Sequence, residues 1–389
     1  MKDFIYYTPT KMIFGKGKHR EVGKIIRGYG YGSIMLMYGQ NSIKRSGLYD
    51  EIMESLRAEG IRVIEAGGVE PNPKLDFVRK SIETARQEQV EMILAVGGGS
   101  VIDSAKATAA GVVNTCDVWD LFTKKAESTG ALPVGAVPTM AAAGSEMSAS
   151  AVITNPEENM KRGYNSDFNR CLFAICNPEL TMSLGPYQTA CGIVDIMSHT
   201  MERYFGVCPD TELTDQIAEG LLRSVISAGS RVMADPRDYE ARAEIMWASN
   251  LSHNDLTGCG REFATVVHQL EHAVSGEYDV VAHGAGLAVM YPAWARYMYP
   301  HAPQRFARFA RNVWGVTEAD DVAASLLGIE AMEEYFRSLG MPLKLREFGI
   351  SSDSVDRLAD LCTYHRQRTL PSYVELDYER VKEIFKNSR

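Results

Sequence analysis

The fold turns on EMILAVGGGSVIDSAKA, Glu91–Ala107. Glu91–Val96 reads as a short strand that runs straight into Gly97, Gly98, Gly99 and Ser100, and the residues beyond them start a helix. Glycine lets a backbone come close to a ligand, and the N–H groups at a helix start favour phosphate. Gly97–Ser100 is therefore a candidate cradle for a pyrophosphate. By itself GGGS is unspecific, since many tight turns look the same. It is neither GxGxxG nor a Walker lysine pattern, so a standard Rossmann or P-loop assignment fails. Asp103 and Lys106 follow in the first two helical turns, where Asp103 also has the plainer reading of complementing the helix dipole.

Outward from this stretch, strands and helices alternate. GSIMLMYG (Gly32–Gly39) reads as a strand ending in a turn. Lys44–Glu59 follows as a helix, with Ile43, Leu48, Ile52 and Leu56 at helical spacing. Ile61–Ala66 is the next strand, and Leu75–Gln89 the next helix, entered through the Pro71–Pro73 turn. LPVGAVP (Leu132–Pro138) is a further strand, leading into the small-residue turn PTMAAAGSEMS (Pro138–Ser148), which leaves space for a flat ring. Val152–Thr154 and Leu172–Cys176 are weaker strand candidates, separated by the polar NPEENMKRGYNSDFN. This order predicts an α/β, doubly wound, mostly parallel Rossmann-like sheet with ligands beyond the carboxyl ends of its strands. From Gly185 onward nearly every segment has helical period, so the reading is an α/β unit over 1–184 and an all-α unit over 185–389.

Bulk properties exclude several classes. With 389 residues, two domains are the natural prior. Hydrophobic residues at 45% and charged residues at 23% describe a globular chain, and a net charge of -9 argues against a nucleic-acid partner. No apolar run reaches membrane-spanning length, and the first residues lack the pattern of a signal peptide. The seven cysteines are scattered without a CxxC pair and read as reduced thiols of a cytoplasmic protein.

The chemistry-bearing residues lie in the helical half. TVVHQLEHAVSGEYDVVAHGAGL (Thr265–Leu287) holds three of the eight histidines. His268 and His272 are four apart on a helical run, hence on one face, and His283 follows a turn. In YQTACGIVDIMSHTMERY (Tyr187–Tyr204), Asp195 and His199 repeat that spacing. Taken singly, each pair is as well read as a polar helix face or a helix ion pair. Together Asp195, His199, His268 and His283 supply an O,N,N,N set suited to an open, Lewis-acid metal site, a set that suits zinc well. His272, left over one turn away, is placed for a proton carrier. His19, His253, His301 and His365 read as surface or structural residues.

GGGSVIDSAKA, PTMAAAGSE, Asp195 with His199, and HQLEHAVSGEYDVVAHGAGLA together resemble the iron-containing (group III) alcohol dehydrogenase family, the last run most of all its butanol dehydrogenase branch. The resemblance covers essentially the whole chain, from FGKG at Phe14–Gly17 onward. It implies a dehydroquinate synthase-like architecture, a dinucleotide-binding domain followed by a helical metal-binding one, with catalysis in the cleft between. It also implies the same four metal ligands, and cofactor contacts at the loop after Tyr38, at Asn72, Gly98–Ser100, Asp103, Thr139, Ser150 and Lys161. Ala143 stands where the family often has threonine, and three residues rather than two separate Asp279 from His283.

The reaction so implied is reversible hydride transfer between a nicotinamide and a primary alcohol or aldehyde, by a homodimer. FIYYTPTKMIF (Phe4–Phe14) is an apolar strand-like run in need of a partner, although Tyr6, Tyr7 and Phe14 could equally cover this subunit's own sheet. In a doubly wound sheet the loop after the first strand meets the adenosine ribose, where a carboxylate selects NAD. Here that loop is Gly39, Gln40, Asn41 and Ser42, with Lys44 and Arg45 beyond, so NADP(H) is expected, with NAD(H) tolerated. The rival readings are a glycerol dehydrogenase-like or dehydroquinate synthase-like enzyme on the same fold, and a non-catalytic nucleotide- or metal-binding relative.

Overall fold

The computed structural model describes residues 1–207 and 211–389, which divide into two compact units. One is Tyr7–Leu184; the other is Gly185–Arg389 together with Met1–Tyr6. The first six residues thus belong with the helical unit rather than with the α/β unit where the sequence reading put them. The Lys2 backbone N–H donates to the Gly260 carbonyl at 2.8 Å, and its ammonium pairs with Glu262.

In the α/β unit the strands are β1 (Lys11–Phe14), β2 (Ser33–Gly39), β3 (Arg62–Val69), β4 (Met92–Gly97), β5 (Val134–Pro138), β6 (Ser150–Asn155), β7 (Met160–Asn165) and β8 (Phe173–Cys176). Its helices are α1 (Val22–Gly28), α2 (Ser42–Arg45), α3 (Leu48–Ala58), α4 (Leu75–Gln87), α5 (Gly99–Val113) and α6 (Val118–Phe122). Six strands form one parallel sheet in the order β1-β8-β5-β4-β2-β3. Successive side chains of a strand point to opposite faces. Ile34, Leu36 and Tyr38 of β2 accordingly pack with α1, α2 and α3, while Met35 and Met37 pack with α4 and α5. Burial on both faces is why β2, β4 and β5 carry apolar runs instead of alternation. Each Leu or Ile so withdrawn from water contributes roughly 1.5–3 kcal/mol.

Chain direction across the sheet reverses beside β2, which has β3 on one side and β4 on the other. Tyr38 is in register with Val96, so the turns after β2 and β4 leave the sheet side by side. In an open parallel sheet this reversal is where ligands bind.

Two local readings needed correction. The polar run after Asn155 is not a break: Met160–Asn165 forms β7, paired antiparallel with β6 as a two-stranded ribbon. The helix read over Lys44–Glu59 is two helices, because Gly47 adopts φ 81° between α2 and α3.

The helical unit comprises α7 (Pro186–Tyr204), α8 (Glu212–Ala234), α9 (Tyr239–Ser252), α10 (Val266–Glu277), α11 (His283–Met298), α12 (Pro303–Trp314), α13 (Asp321–Ser338), α14 (Val355–Cys362) and α15 (Tyr378–Asn387). Helix α7 is buried on every side from Thr189 to Tyr204, so it is the centre of the unit. Helices α8, α9, α10 and α11 pack around it. Gly284 lets the first turn of α11 come against the α7 backbone, since an added Cβ would overlap the Cys191 carbonyl. No helix among the described residues is long and apolar enough to cross a membrane.

Candidate metal centre and cofactor turns

Helical spacing on α7 turns Asp195 and His199 to one face, and the opening turn of α10 brings His268 to them. Their donor atoms lie within 4.8 Å of one another, and all three residues are buried. Asp195 Oδ1 is 3.4 Å from His199 Nε2 and 3.6 Å from His268 Nε2. His283, the first residue of α11, brings its Nε2 to 3.7 Å from the same oxygen. His283 also groups with Glu271 and His272, its Nδ1 on Glu271 Oε2.

These residues fit a metal. Asp195 Oδ1 and His268 Nε2 are buried yet have no hydrogen-bond partner, which is costly unless something else satisfies them. A metal–nitrogen distance of roughly 2.1 Å sets tetrahedral donors roughly 3.4 Å apart. The observed spacings are close to that and longer than hydrogen bonds. Burial, followed by the neighbouring imidazoles of His253 and His268, pushes protonation of His199 well below the ordinary histidine range. His199 thus keeps a lone pair for coordination. Burial also opposes charge on His268, but Asp195 and Glu202 outweigh it and lift its pKa to about 9.

Sequence reasoning missed three neighbours. His253, read as an ordinary structural residue, stacks on His199 with centroids 3.9 Å apart. Glu202 and Glu271 back His268 and His283. His272 is partly exposed, with its ring 5.6 Å from that of His283. Between Asp279 and His283, Val280 is 75% exposed while Val281 is fully buried, and α11 begins at His283.

In the α/β unit the two small-residue turns meet. Thr139 N–H donates to the Gly97 carbonyl at 3.0 Å. Added Cβ atoms on Gly98 and Gly99 would each lie 3.8 Å from the Cβ atoms of Met140 and Ala143. Gly97 has no room for a side chain, because its Cβ would come to 2.5 Å from Val101. Gly98 and Ser100 therefore stand at the head of α5 beside the Thr139 turn.

Asp103 faces inward: Oδ1 accepts from Ser145 Oγ at 2.6 Å and Oδ2 from the Val152 N–H at 3.1 Å. Lys106 is fully buried and donates to the carbonyls of Ser145, Ser148 and Ser150 at 2.5, 2.9 and 2.9 Å. Burial pulls its pKa down against the raising effect of nearby acids. These two residues fasten the segment that carries Ser150. Lys161 Nζ donates to Asn72 Oδ1 at 3.0 Å, joining β7 to the Pro71–Pro73 turn, where Asn72 takes φ 52°. Gln40, Asn41 and Ser42 are exposed after β2, and Gly39 is half-buried.

A glycine turn at a sheet reversal, and a carboxylate with three imidazole nitrogens beside it, point to a class: enzymes that join a nucleotide-binding α/β unit to a helical metal unit. The family described as iron-containing alcohol dehydrogenase matches residues 9–178, and the C-terminal region of the Fe-containing alcohol dehydrogenase family matches 189–389. An NADH-dependent butanol dehydrogenase A of Clostridium acetobutylicum is 40% identical over 390 residues, covering 100% of both chains. An NADPH-dependent aldehyde reductase of Escherichia coli is 31% identical, again over 100% of both. The crystal structure of an NADH-dependent butanol dehydrogenase A from Thermotoga maritima superposes with a TM-score of 0.96 at 38% identity, covering 100% of this chain and 99% of that one. The chain belongs to the iron-containing alcohol dehydrogenase family, and is butanol dehydrogenase-like within it.

Proposed function

We propose that the protein is a metal-dependent, NAD(P)-linked alcohol dehydrogenase or aldehyde reductase that moves a hydride between the nicotinamide and a primary alcohol or aldehyde. The observation that carries this is the placing of three imidazole nitrogens, of His199, His268 and His283, around one oxygen of Asp195. Relatives named butanol dehydrogenase and aldehyde reductase support the substrate class over a glycerol dehydrogenase-like, dehydroquinate synthase-like or non-catalytic reading.

Asp195, His199, His268 and His283 would hold a divalent ion, Fe2+ or Zn2+, both of which suit imidazole with carboxylate. When bound, the ion supplies Lewis acidity to the substrate oxygen, and the nicotinamide supplies or accepts the hydride. Gly97–Ser100, with Thr139, Asn72, Ser150 and Lys161, orient the cofactor, and Asp103 acts through Ser145 and Val152 to hold that surface. His272 takes the alcohol proton on a ring nitrogen and passes it to solvent, returning it when an aldehyde is reduced. The test is metal analysis of the purified protein alongside an aldehyde-length series with both nicotinamides. Failure of every aldehyde to turn over in metal-restored protein would overturn the proposal.

NADP(H) is the proposed preference, with NAD(H) tolerated. Gly39–Ser42 offers no carboxylate to repel a 2′-phosphate. Lys44 lies over the rings of Tyr38 and Tyr49 at 5.0 and 4.8 Å, and both hydroxyls bond Glu65, which leaves exposed Arg45 as the cation nearest the loop in sequence. Relatives carry both NADH- and NADPH-dependent names, so the choice rests on this loop.

A second copy of this chain is the proposed partner. Phe4, Ile5, Tyr6 and Tyr7 are exposed, and among the described residues β1 is an edge strand beside β8. Light scattering is expected to give twice the monomer mass; a monomer at working concentration would count against it. The scattered cysteines keep the cytoplasm as the proposed compartment.

A further inference from the structure

We infer that Glu202 and Glu271 are positioning residues of the metal centre. Each holds the Nδ1–H of one histidine, so that His268 and His283 both present Nε2 to Asp195. This rests on the reading of Asp195, His199, His268 and His283 as ligands.

Glu202 lies on the same stripe of α7 as Asp195 and His199, one turn further on, and is buried. Its Oε1 is 3.1 Å from His268 Nδ1 and accepts the His268 backbone N–H at 2.9 Å; its Oε2 accepts the Val266 N–H at 3.1 Å. One carboxylate thus fixes both the first turn of α10 and the ring that the turn carries.

Glu271, one turn past His268, has no exposed surface and meets His283 Nδ1 through Oε2. Its seat is cut by a glycine. An added Cβ on Gly286 would come within 2.8 Å of Glu271 Cγ and 2.9 Å of its Oε1. The second glycine of HGAG is thereby accounted for.

A neutral imidazole carries one N–H, and a carboxylate on Nδ1 assigns it there, leaving the Nε2 lone pair for a metal. His199 is held differently. Its Nδ1 has no hydrogen-bond partner, and its ring lies against those of His253 and His268, at 3.9 and 4.2 Å.

The experiment compares zinc affinity, by chelator competition at fixed pH, in the wild type and in Glu202→Met, Glu271→Met, Glu202→Gln and Glu271→Gln. The methionine variants keep length but no acceptor and are expected to bind zinc about 10- to 100-fold more weakly. Glutamine retains a neutral acceptor for the ring N–H and is expected to recover part of that loss. In zinc-loaded wild type with labelled histidine, nitrogen NMR should show His268 and His283 protonated at Nδ1, a readout independent of whether any variant folds. Wild-type affinity in both methionine variants, or Nε2–H tautomers in the loaded protein, would overturn the inference while leaving the ligand set intact. Failure of the wild type to take up zinc would overturn the ligand set itself, and this inference with it.

Discussion

The two units build function from different materials. In the α/β unit the candidate cofactor surface is largely backbone: a glycine turn, a small-residue turn beside it, and a neutral loop after β2. Side chains such as Asp103 and Lys106 act from beneath, holding the surface in shape. In the helical unit the surface is side-chain chemistry, with donors on buried helix faces that touch one another and are backed by further carboxylates. A backbone site has room for a small side chain at some positions, such as Gly98 and Gly99, and none at Gly97, and it fails when its support is removed. A donor cluster fails at the first donor lost.

The sharpest test of this contrast is His268→Ala. It should remove most bound metal and lower kcat/KM by at least about 1000-fold, or about 4 kcal/mol, with dinucleotide binding unchanged in a fluorescence titration. Normal metal content and normal rates would put the site elsewhere.

Lys106→Met is the mirror experiment. The carbonyls of Ser145, Ser148 and Ser150 lose their donor, so the α/β unit should lose about 3 kcal/mol of stability in denaturant titration. Dinucleotide affinity should fall with it and metal content should not. Equal loss of metal would erase the distinction between the units.

Next in size is His272→Ala, expected to keep its metal, lower kcat about 100-fold and change the pH–rate profile, since a relay acts on proton transfer. Metal loss like that of His268→Ala would make His272 a ligand. The smallest effect expected is from Gln40→Asp, a shift of about tenfold in kcat/KM towards NAD, by repulsion of the 2′-phosphate. A wild type that already favours NAD would refute the reading of that loop.

The same contrast explains what the sequence made legible. β2, β4 and β5 were readable because burial on both faces demands unbroken apolar runs. β7, MKRGYN, was not, because a half-exposed two-stranded ribbon makes no such demand. The donors stood out because Asp195 with His199, and His268 with His272, repeat at one helical turn. Glu202 continues the Asp195–His199 stripe by another turn, and Glu271 sits within the His268–His272 stripe, three residues after His268. They escaped notice because a glutamate on a helix is ordinarily a solvated one. His253, just past the end of α9, has no such stripe, and only the fold brings it to His199. The sequence places Lys106 early in a helix, yet nothing local announces that its ammonium is wholly enclosed.

The turn between α10 and α11, exposed at Asp279 and Val280 and buried at Val281, has a consequence for how relatives of this protein are found. His268 and His283 are each anchored on their own helix, so the number of residues between them is not what places the donors. A search signature of fixed length drawn across this segment would discard sequences whose donors are all in place. One that matches each helix separately, and lets the gap between them float, follows the chemistry instead.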